Sequence, residues 1–372
     1  MTLFDSLREE WERLQDDSST DSFFASWTWC STWVRHFGSD EQLALVTERD
    51  AGGALIGLAP LSITRGRAGI AQLGFIGAAA PVEHFDFIVK RGLEAVAVPA
   101  MLAKIEAIPH DVLCLANILP DSPSLPLLRA SGIAFEESEG HVAPVLELPG
   151  DMESVLAPLP KKKNERFRYY RRRIDRDFPN DWSCATATSA SEIDDAFGVL
   201  VRLHQKHWTS RGERGAFADE RLTAFYRDLA HCAAERGWLR MYRLIAGGKV
   251  VSVDFAFVYR GRFHHFINGT DFESEVDSPG AVLHYCMIER CIAEGVREYD
   301  MMWGEHDYKY DWGAKRRADR TFTFYATTRA RVVRRARELV HRLLWSAAAK
   351  PPLSKAVAAA AARALRRLRP PL

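Results

Sequence analysis

Hydrophobic and polar positions along the first half of the chain follow two periods. Short runs of apolar residues are typical of strands, and longer segments with one apolar side are typical of helices. The expected strands are 43–48, 54–63, 71–76, 85–89, 111–118 and 142–148. The expected helices are 22–37, 93–108 and 124–131. The turn Ala51-Gly52-Gly53 between two apolar runs predicts a β-hairpin. This order indicates a mixed α/β unit.

The second half repeats that theme. A basic helix at 161–177 precedes a strand at 182–188 and two amphipathic helices at 191–208 and 219–236. Strands at 239–245, 250–259 and 262–269 are separated by glycine-containing turns, which predicts an antiparallel meander. A helix after Pro279, a strand at 298–303 and a last strand at 320–328 follow. We therefore predict two similar α/β domains, 1–150 and 151–328, and a helical tail, 329–372.

The segment Asp277-Ser278-Pro279-Gly280-Ala281 marks the start of the helix after the meander. Proline suits the first helical position because its φ is fixed and its missing N–H is not needed there. Free backbone N–H groups and the positive end of the helix dipole attract phosphate at such a position. The order of strand, anion-binding turn, helix, strand and polar cluster is that expected of an acyl-coenzyme A transferase half-site.

Composition points to a globular protein with a large core. The chain has 372 residues, of which 47% are hydrophobic and 27% are charged, so two domains are expected. The six cysteines form no C-x-x-C pair, which indicates buried free thiols in a reducing compartment. Residues 1–13 are acidic and amphipathic, unlike a signal peptide, and no apolar run approaches the roughly 20 residues needed to span a bilayer. We expect a cytoplasmic protein.

Charge is unevenly distributed. Residues 329–372 carry twelve Lys or Arg against one acid, a balance of +11, which leaves −10 on residues 1–328. The segment 161–176 is a second basic stretch, with nine basic and two acidic residues. Either could meet a nucleotide, a tRNA or a lipid head group, or could be a solvated helical face.

The tail also has an apolar stripe beside its basic face, and a second Ala- and Arg-rich helix is expected at 356–368 after Pro351-Pro352. The stripe comprises Val332, Val333, Leu339, Val340, Leu343, Leu344 and Trp345. Basic amphipathic helices of this kind often lie on anionic membranes. We therefore expect peripheral contact with the inner face of the membrane through Arg329–Leu372; the alternative is packing across a domain interface or against a dimer partner.

An ordered set of residues resembles a known group. The set is Ser26-Trp27, Trp33, Pro60-Leu61, Glu83-His84-Phe85-Asp86, Trp208, Arg211-Gly212, 239–245, Ser278-Pro279-Gly280, Asp300, Gly304, Tyr308-Lys309 and Trp312. It looks like the BioF-like/CelD-like acetyltransferases of the GNAT superfamily, over roughly residues 20–328. That family is similar to the FemABX aminoacyl transferases, which are two tandem GNAT folds. The resemblance implies two tandem GNAT-like mixed-sheet domains and transfer of an acyl group from acyl-CoA or acetyl-CoA to an amine, without a metal.

The resemblance places the coenzyme A site at Ser278, Pro279, Gly280 and Ala281. The superfamily's acyl-CoA loop, Q/R-x-x-G-x-G/A, is absent, and these four residues occupy its place. A helix start and a glycine remain, but some N–H donors are lost. A longer acyl-CoA, an acyl carrier protein or an aminoacyl-tRNA are therefore alternative donors.

Two adjacent strands carry ionisable residues that could serve as acid or base. Asp254 lies within an apolar strand, and burial would raise the pKa of its carboxyl group toward a useful value. The alternative role for Asp254 is a salt bridge to an arginine. His264 and His265 point to opposite faces of the next strand, so one of them should face the site; we take His265 as a candidate base. The alternative is a histidine with a purely structural role.

The loop after the strand ending at Gly304 concentrates further ionisable residues. Glu305 and Lys309 are catalytic candidates; by similarity to FemABX enzymes, Lys309 would stabilise developing negative charge. Tyr308, Trp208 and Arg211 are candidates for binding the acceptor. Lys309 could instead be a surface lysine, and Trp208 could cover the apolar face of its helix. His204 and His207 share one helical face but lack an acidic third ligand, so we expect no metal.

Three functions are consistent with the sequence. The first is an acyl-CoA-dependent N-acyltransferase acting on the amine of an envelope polysaccharide precursor, an amino-sugar or an amine-bearing lipid. The second is a FemABX-type aminoacyl-tRNA-dependent ligase, with 161–176 as the tRNA contact. The third is a non-catalytic scaffold in exopolysaccharide or cellulose biosynthesis. Nucleic acid is expected as a partner only in the second case.

Overall fold

The structure is a computed structural model that describes residues 3–20, 22–66, 69–80 and 82–348. Within these residues the helices are α1 (Leu3–Ser6), α2 (Arg8–Asp16), α3 (Trp27–Phe37), α4 (Glu94–Glu106), α5 (Leu125–Ala130), α6 (Met152–Leu156), α7 (Lys161–Asp177), α8 (Ala190–Ser210), α9 (Glu220–Glu235), α10 (Pro279–Ala293), α11 (Asp307–Asp311) and α12 (Thr328–Ala348). Short 3-10 turns occur at Phe23–Ala25 and Ala216–Ala218. The helix expected at 356–368 lies outside the described residues.

The strands of the described residues are β1 (Gln42–Leu43), β2 (Val46–Arg49), β3 (Leu55–Ala59), β4 (Leu61–Arg65), β5 (Ala71–Phe75), β6 (Ile88–Val89), β7 (Val112–Ile118), β8 (Glu136–Val142), β9 (Val145–Glu147), β10 (Trp182–Thr186), β11 (Leu239–Ala246), β12 (Lys249–Tyr259), β13 (Arg262–Thr270), β14 (Glu298–Asp300) and β15 (Ala318–Tyr325). The mixed α/β class expected from the sequence is confirmed. The predicted hairpin is also present, since β2 and β3 pair antiparallel across Ala51-Gly52-Gly53.

The chain divides into two compact units. The first consists of residues 1–30, 37–140 and 319–372, and the second of 31–36 and 141–318. The first unit has a six-stranded sheet in the order β1-β4-β5-β7-β15-β8 and a three-stranded sheet β2-β3-β6. Its aromatic core requires one close approach: a Cβ at Gly77 would lie 2.6 Å from Nε1 of Trp29, and the φ of Gly77 is +80°. Glycine is therefore needed there.

The second unit has a six-stranded sheet in the order β10-β11-β12-β13-β14-β9. The meander β11-β12-β13 is antiparallel, as the sequence predicts. Strands β13 and β14 are parallel, and α10 connects them. Helix α7 is fixed against the end of α11, where the rings of Phe167 and Trp312 stack with centroids 3.7 Å apart. Both rings belong to the buried apolar core of this unit.

The two large sheets repeat one plan. In each, an antiparallel pair leads into a parallel pair: β4-β5 then β5-β7 in the first unit, β12-β13 then β13-β14 in the second. The next strand is antiparallel in both, β15 beside β7 and β9 beside β14. The structural duplication expected from the element order is thus visible in the topology.

Strands β9 and β15 depart from the order along the chain. We expected the segment near 142–148 to close the first unit and 320–328 to complete the second. Instead β9 pairs with β14 of the second unit, and β15 pairs with β7 of the first. The apolar pattern of a strand specifies a buried face but not the strand beside it, so sequence could not distinguish these pairings. The domain boundaries at 150 and 328 stay a prediction.

Candidate functional site

In the sheet of the second unit, the parallel strands β13 and β14 pair at one end and then separate. Their parallel pairing covers only Arg262–His264 of β13, although that strand continues to Thr270. After Asp300 the chain leaves the sheet, and Met302 adopts a φ of +55°. A cavity of about 690 Å³ lies at the far end of β13, beside the start of α10. Its size is that of an ordinary small-molecule site.

The start of α10 forms one wall of this cavity. Ser278, Pro279, Gly280 and Ala281 all belong to the lining. The N–H groups of Ala281 and Val282 both donate to the carbonyl oxygen of Ser278, at 2.9 and 3.1 Å, and Pro279 has no N–H. That leaves the N–H of Gly280, together with the positive end of the helix dipole, for an anion. The four residues predicted from the sequence to bind the cofactor thus share one wall; their role stays a prediction.

The charged groups of the lining are mixed. Arg166 of α7 donates to Asp311 at 2.6 Å, and Arg173 is paired with Asp277. Glu275 adds a third carboxylate, and it is exposed. The lining therefore holds two guanidinium groups and three carboxylates, and the excess of carboxylates would favour a cationic amine.

His284 on the first turns of α10 is the titratable side chain buried deepest in this lining. It is 3% exposed, and its Nδ1 lies 2.9 Å from the hydroxyl oxygen of Tyr299 on β14. Burial lowers the pKa of His284 well below its ordinary value, with His265 and Lys309 as further causes, so the ring is neutral at pH 7. Its Nε2 has no hydrogen-bond partner among the described residues. A neutral imidazole with an unused nitrogen can accept a proton.

Asp254 and His265 lie next to this histidine. The carboxylate of Asp254 contacts Nε2 of His265, and both side chains are buried. Burial raises the pKa of Asp254, and the neighbouring His265 opposes that shift. The ring centroids of His265 and His284 are 4.6 Å apart. Asp254, His265, His284 and Tyr299 thus form a contiguous buried polar row that ends at the cavity.

Comparison with known proteins agrees with this geometry. Residues 161–310 match the family model Acetyltransf_6, described as Acetyltransferase (GNAT) domain. That match includes the start of α10, the buried row and residues 307–310 of α11. The chain carries a GNAT domain within a FemABX-like tandem GNAT fold. The matched residues lie in the second unit, and the BioF-like/CelD-like assignment is not decided by the match.

Solved structures show the same fold over nearly the whole chain. The structure of FemX has a TM-score of 0.62 at 9% identity, covering 86% of this chain and 96% of that one. A conserved protein of unknown function from Bacteroides thetaiotaomicron has a TM-score of 0.59 at 15% identity, covering 87% and 97%. The C-terminal domain of a putative lysylphosphatidylglycerol synthetase from Agrobacterium fabrum has a TM-score of 0.55 at 11% identity, covering 90% and 96%. No curated protein matches the sequence.

The loop of the GNAT domain that follows β14 holds three of the predicted site residues. Lys309 is 2% exposed, and its Nζ donates to the carbonyl oxygens of Met302 and Trp303 at 2.8 and 2.9 Å. Lys309 is therefore not a surface lysine; it holds the backbone turn after β14. Tyr308 lines the cavity, and burial of its hydroxyl raises its pKa, so it stays protonated. Glu305 is exposed and accepts hydrogen bonds from Tyr310 and Arg316 outside the cavity lining.

The predicted acceptor residues of the GNAT domain lie at the end of α8. Arg211 is exposed and near enough to His306 to contribute to the lowered pKa of that histidine. Trp208 packs near His204 and the turn at Gly215. Neither belongs to the cavity lining, whereas Tyr308 does. The Nδ1 of His204 bonds to the carbonyl oxygen of Asn268 at 2.8 Å, and its Nε2 accepts from Ala216 N–H, which indicates a structural histidine.

His284 is the residue of this GNAT domain that sequence reasoning missed. A signal was present, because His284 follows Gly280 and Ala281 by four and three residues and so lies on the same side of α10. The surrounding apolar residues made the segment look like a core helix. Burial next to a cavity, rather than residue type, distinguishes this histidine from a structural one.

Proposed function

We propose that the protein is an N-acyltransferase that uses an acyl-CoA thioester and acylates a primary amine on an envelope polysaccharide precursor, an amino-sugar or a lipid. The observation that carries the proposal is the neutral His284, with an unused Nε2, in the lining of a cavity that begins at the start of α10. A base and an anion-attracting helix start are the two parts that amine acylation from a charged donor requires.

The donor would enter with its phosphates toward the first turn of α10. The Gly280 N–H and the helix dipole attract the anion, and Arg166 and Arg173 lie in the same lining. Thr270 of β13 lies opposite this turn, since a Cβ at Gly280 would be 3.4 Å from its Oγ1. The acidic groups at the mouth, including Glu275, would attract the ammonium group of the acceptor.

The residues of the site supply each proton transfer. When Nδ1–H of His284 donates to the Tyr299 oxygen, Nε2 carries a lone pair and accepts a proton from the ammonium group of the acceptor. The free amine attacks the thioester carbonyl carbon, and the tetrahedral intermediate breaks its C–S bond. The departing thiolate takes a proton from the Tyr308 hydroxyl, and the proton lost by the new amide nitrogen restores the tyrosine. Asp254 orients His265 beside this row.

The pairing of basic residues on α7 favours a thioester donor over aminoacyl-tRNA. Most of the basic side chains of this helix have acidic partners, for example Lys163 with Asp311 at 2.8 Å and Arg171 with Asp175 at 2.6 Å. Among the described residues, only Lys162 and Arg172 of the nine form no ion pair, and both are exposed. A tRNA contact depends on many unpaired cations, so this helix is a weak candidate for one.

Purified protein incubated with acyl-CoAs of graded chain length and a panel of primary amines tests the proposal. We expect amine-dependent release of free thiol and a coenzyme A-dependent rise in melting temperature. The matched control is His284→Gln, which should retain the thermal shift and lose thiol release. The proposal would be refuted if the wild type showed no thiol release and no thermal shift. Transfer from aminoacyl-tRNA in the same assay would favour the FemABX-type ligase, and full complementation of a deletion strain by an Asp254→Asn, Lys309→Ala double variant would favour the scaffold.

A further inference from the structure

Helix α12 contacts the first unit through its polar side. The guanidinium of Arg334 lies 4.9 Å from the ring centroid of Tyr325 and is paired with Glu136. It also donates to Glu338 at 2.7 Å. Ala330, one turn before Arg334 and on the same side of the helix, is buried. This side therefore joins α12 to β15 and β8.

The space beneath α12 is polar as well. A cavity of about 360 Å³ separates the helix from the sheet. Its lining includes Glu136, Tyr325, Arg331, Arg334, Arg335 and Glu338. The aliphatic residues Val332 and Leu339 take no part in that lining.

Two aliphatic side chains of α12 point to solvent. Val332 is 59% exposed and Leu339 is 58% exposed. They are seven residues apart, two helical turns, so they lie on one side of the helix with the exposed Ala336 between them. A surface helix ordinarily turns its apolar stripe toward the core and its charges toward water. Val332 and Leu339, in the part of α12 whose side chains the structure describes, show the reverse orientation, which a single exposed aliphatic residue would not indicate.

We propose that α12 lies on an anionic lipid surface, with Val332 and Leu339 in the interface. Arg335 is exposed close to the apolar side, where head-group phosphates would be. Glu338 is the single acid among residues 329–372, which carry twelve basic residues, so the segment has the charge that such a surface attracts. A second copy of the chain is a poorer match, because it would bring two sets of arginines together. No described helix is long and apolar enough to cross a bilayer.

Co-sedimentation of the full chain with lipid vesicles tests this docking. We expect binding to vesicles of phosphatidylcholine with about 30% phosphatidylglycerol, weak binding to phosphatidylcholine alone, and release as salt rises from about 0.05 M to about 0.5 M. The Val332→Ser/Leu339→Ser variant should bind the anionic vesicles at least about tenfold more weakly. The matched control is Val96→Ser on α4, where Val96 is 60% exposed, and it should bind like the wild type.

Two arginine variants test the electrostatic contribution to vesicle binding. Arg335→Gln should weaken vesicle binding more than Arg202→Gln, since Arg202 is an exposed arginine on α8. Unchanged binding of the double serine variant, or absence of binding by the wild type, would overturn the proposal. So would a wild-type dimer that the double serine variant dissociates, which would make this side a self-association surface. Turnover of a soluble amine should be equal in all these variants, so the outcome is independent of the proposed catalytic function.

Discussion

The Nδ1 of His284 lies 2.9 Å from the hydroxyl oxygen of Tyr299, and this contact fixes the ring at the boundary between the core and the cavity. The tyrosine comes from β14 and the histidine from α10, the two elements that follow β13 in the chain. One hydrogen bond thus ties α10 to β14, and Nε2 of His284 has no hydrogen-bond partner among the described residues.

Replacement of His284 tests that arrangement. His284→Gln keeps a polar group of similar length but removes the basic nitrogen, so kcat/KM for amine acylation should fall about 100-fold or more. Because burial lowers the pKa of His284 well below its ordinary value, the acid limb of the wild-type pH profile should lie below that expected for an ordinary histidine base. Steady-state kinetics between about pH 5.5 and pH 9 give both results. A full rate for the variant at saturating substrate would remove His284 from the mechanism.

Lys309 should matter more for stability than a lysine ordinarily does. Lys309→Met leaves the carbonyl oxygens of Met302 and Trp303 without their donor, so the free energy of unfolding should fall by about 2–4 kcal/mol. The control is Lys315→Met, whose partner Glu147 is as exposed as Lys315 itself; its effect should stay within about 0.5 kcal/mol. Urea denaturation followed by fluorescence measures both. Equal stability of the two variants would contradict the role assigned to Lys309.

A side chain at position 280 should interfere with the donor. The methyl groups of Gly280→Val would crowd Thr270 and enter the cavity wall, so we expect KM for the acyl donor to rise about tenfold with little change in folding. Gly198 is a matched control on the exposed side of α8, where an added Cβ meets no atom within 4 Å. Gly198→Ala should leave KM unchanged and stabilise the protein by about 0.5–1 kcal/mol. A donor KM unaffected by Gly280→Val would argue against this wall as the donor site.

The buried carboxyl group of Asp86 in the first unit should make the free energy of unfolding depend on pH. Burial raises the pKa of this carboxyl group to about 6, despite hydrogen bonds from the Ser122 hydroxyl and the Phe87 N–H. A folded-state pKa above the unfolded value means that the folded state binds the extra proton between about pH 4 and pH 6, so stability falls as the pH rises through that range. Asp86→Asn should therefore be more stable than the wild type at pH 8, by up to about 3 kcal/mol, and similar to it near pH 4.

Melting curves of the two proteins at both pH values measure the difference. A gap of the same size at pH 4 and pH 8 would show that Asp86 is not the titrating group.

Much of the fold followed from local patterns. The meander, the basic helix α7 and the helix after Pro279 lie close to where period and turn residues placed them, because each buries a face that its own sequence defines. Strand β8 was missed, since Glu136–Val142 is polar and mostly exposed and so carries no apolar alternation. The positions of β9 and β15 could not be predicted from the local pattern either, because they depend on which strand of which sheet each one pairs with.

In the candidate site, too, some features followed from the local sequence and others only from the packing of distant segments. The sequence by itself determined the turn at Ser278-Pro279-Gly280, the carboxylate in β12 and the pair of histidines in β13, because residue type and spacing fix helix starts and strand faces. Which histidine meets Asp254 was decided by a β-bulge: Asp254 is opposite Asn268 and Ala256 is opposite His265, so one residue of β13 is extra and His265 shares the face of Asp254.

The position of His284 beside the cavity likewise came only from the tertiary structure, since a helical pattern cannot show that a helix start borders a cavity. The outward side of α12 is a third case. Its sequence has an apolar stripe, and only the tertiary structure shows that two members of it, Val332 and Leu339, face solvent while Arg334 contacts Glu136 and Tyr325. In each case the sequence defines the chemistry of a face, and the packing of distant segments decides what that face meets.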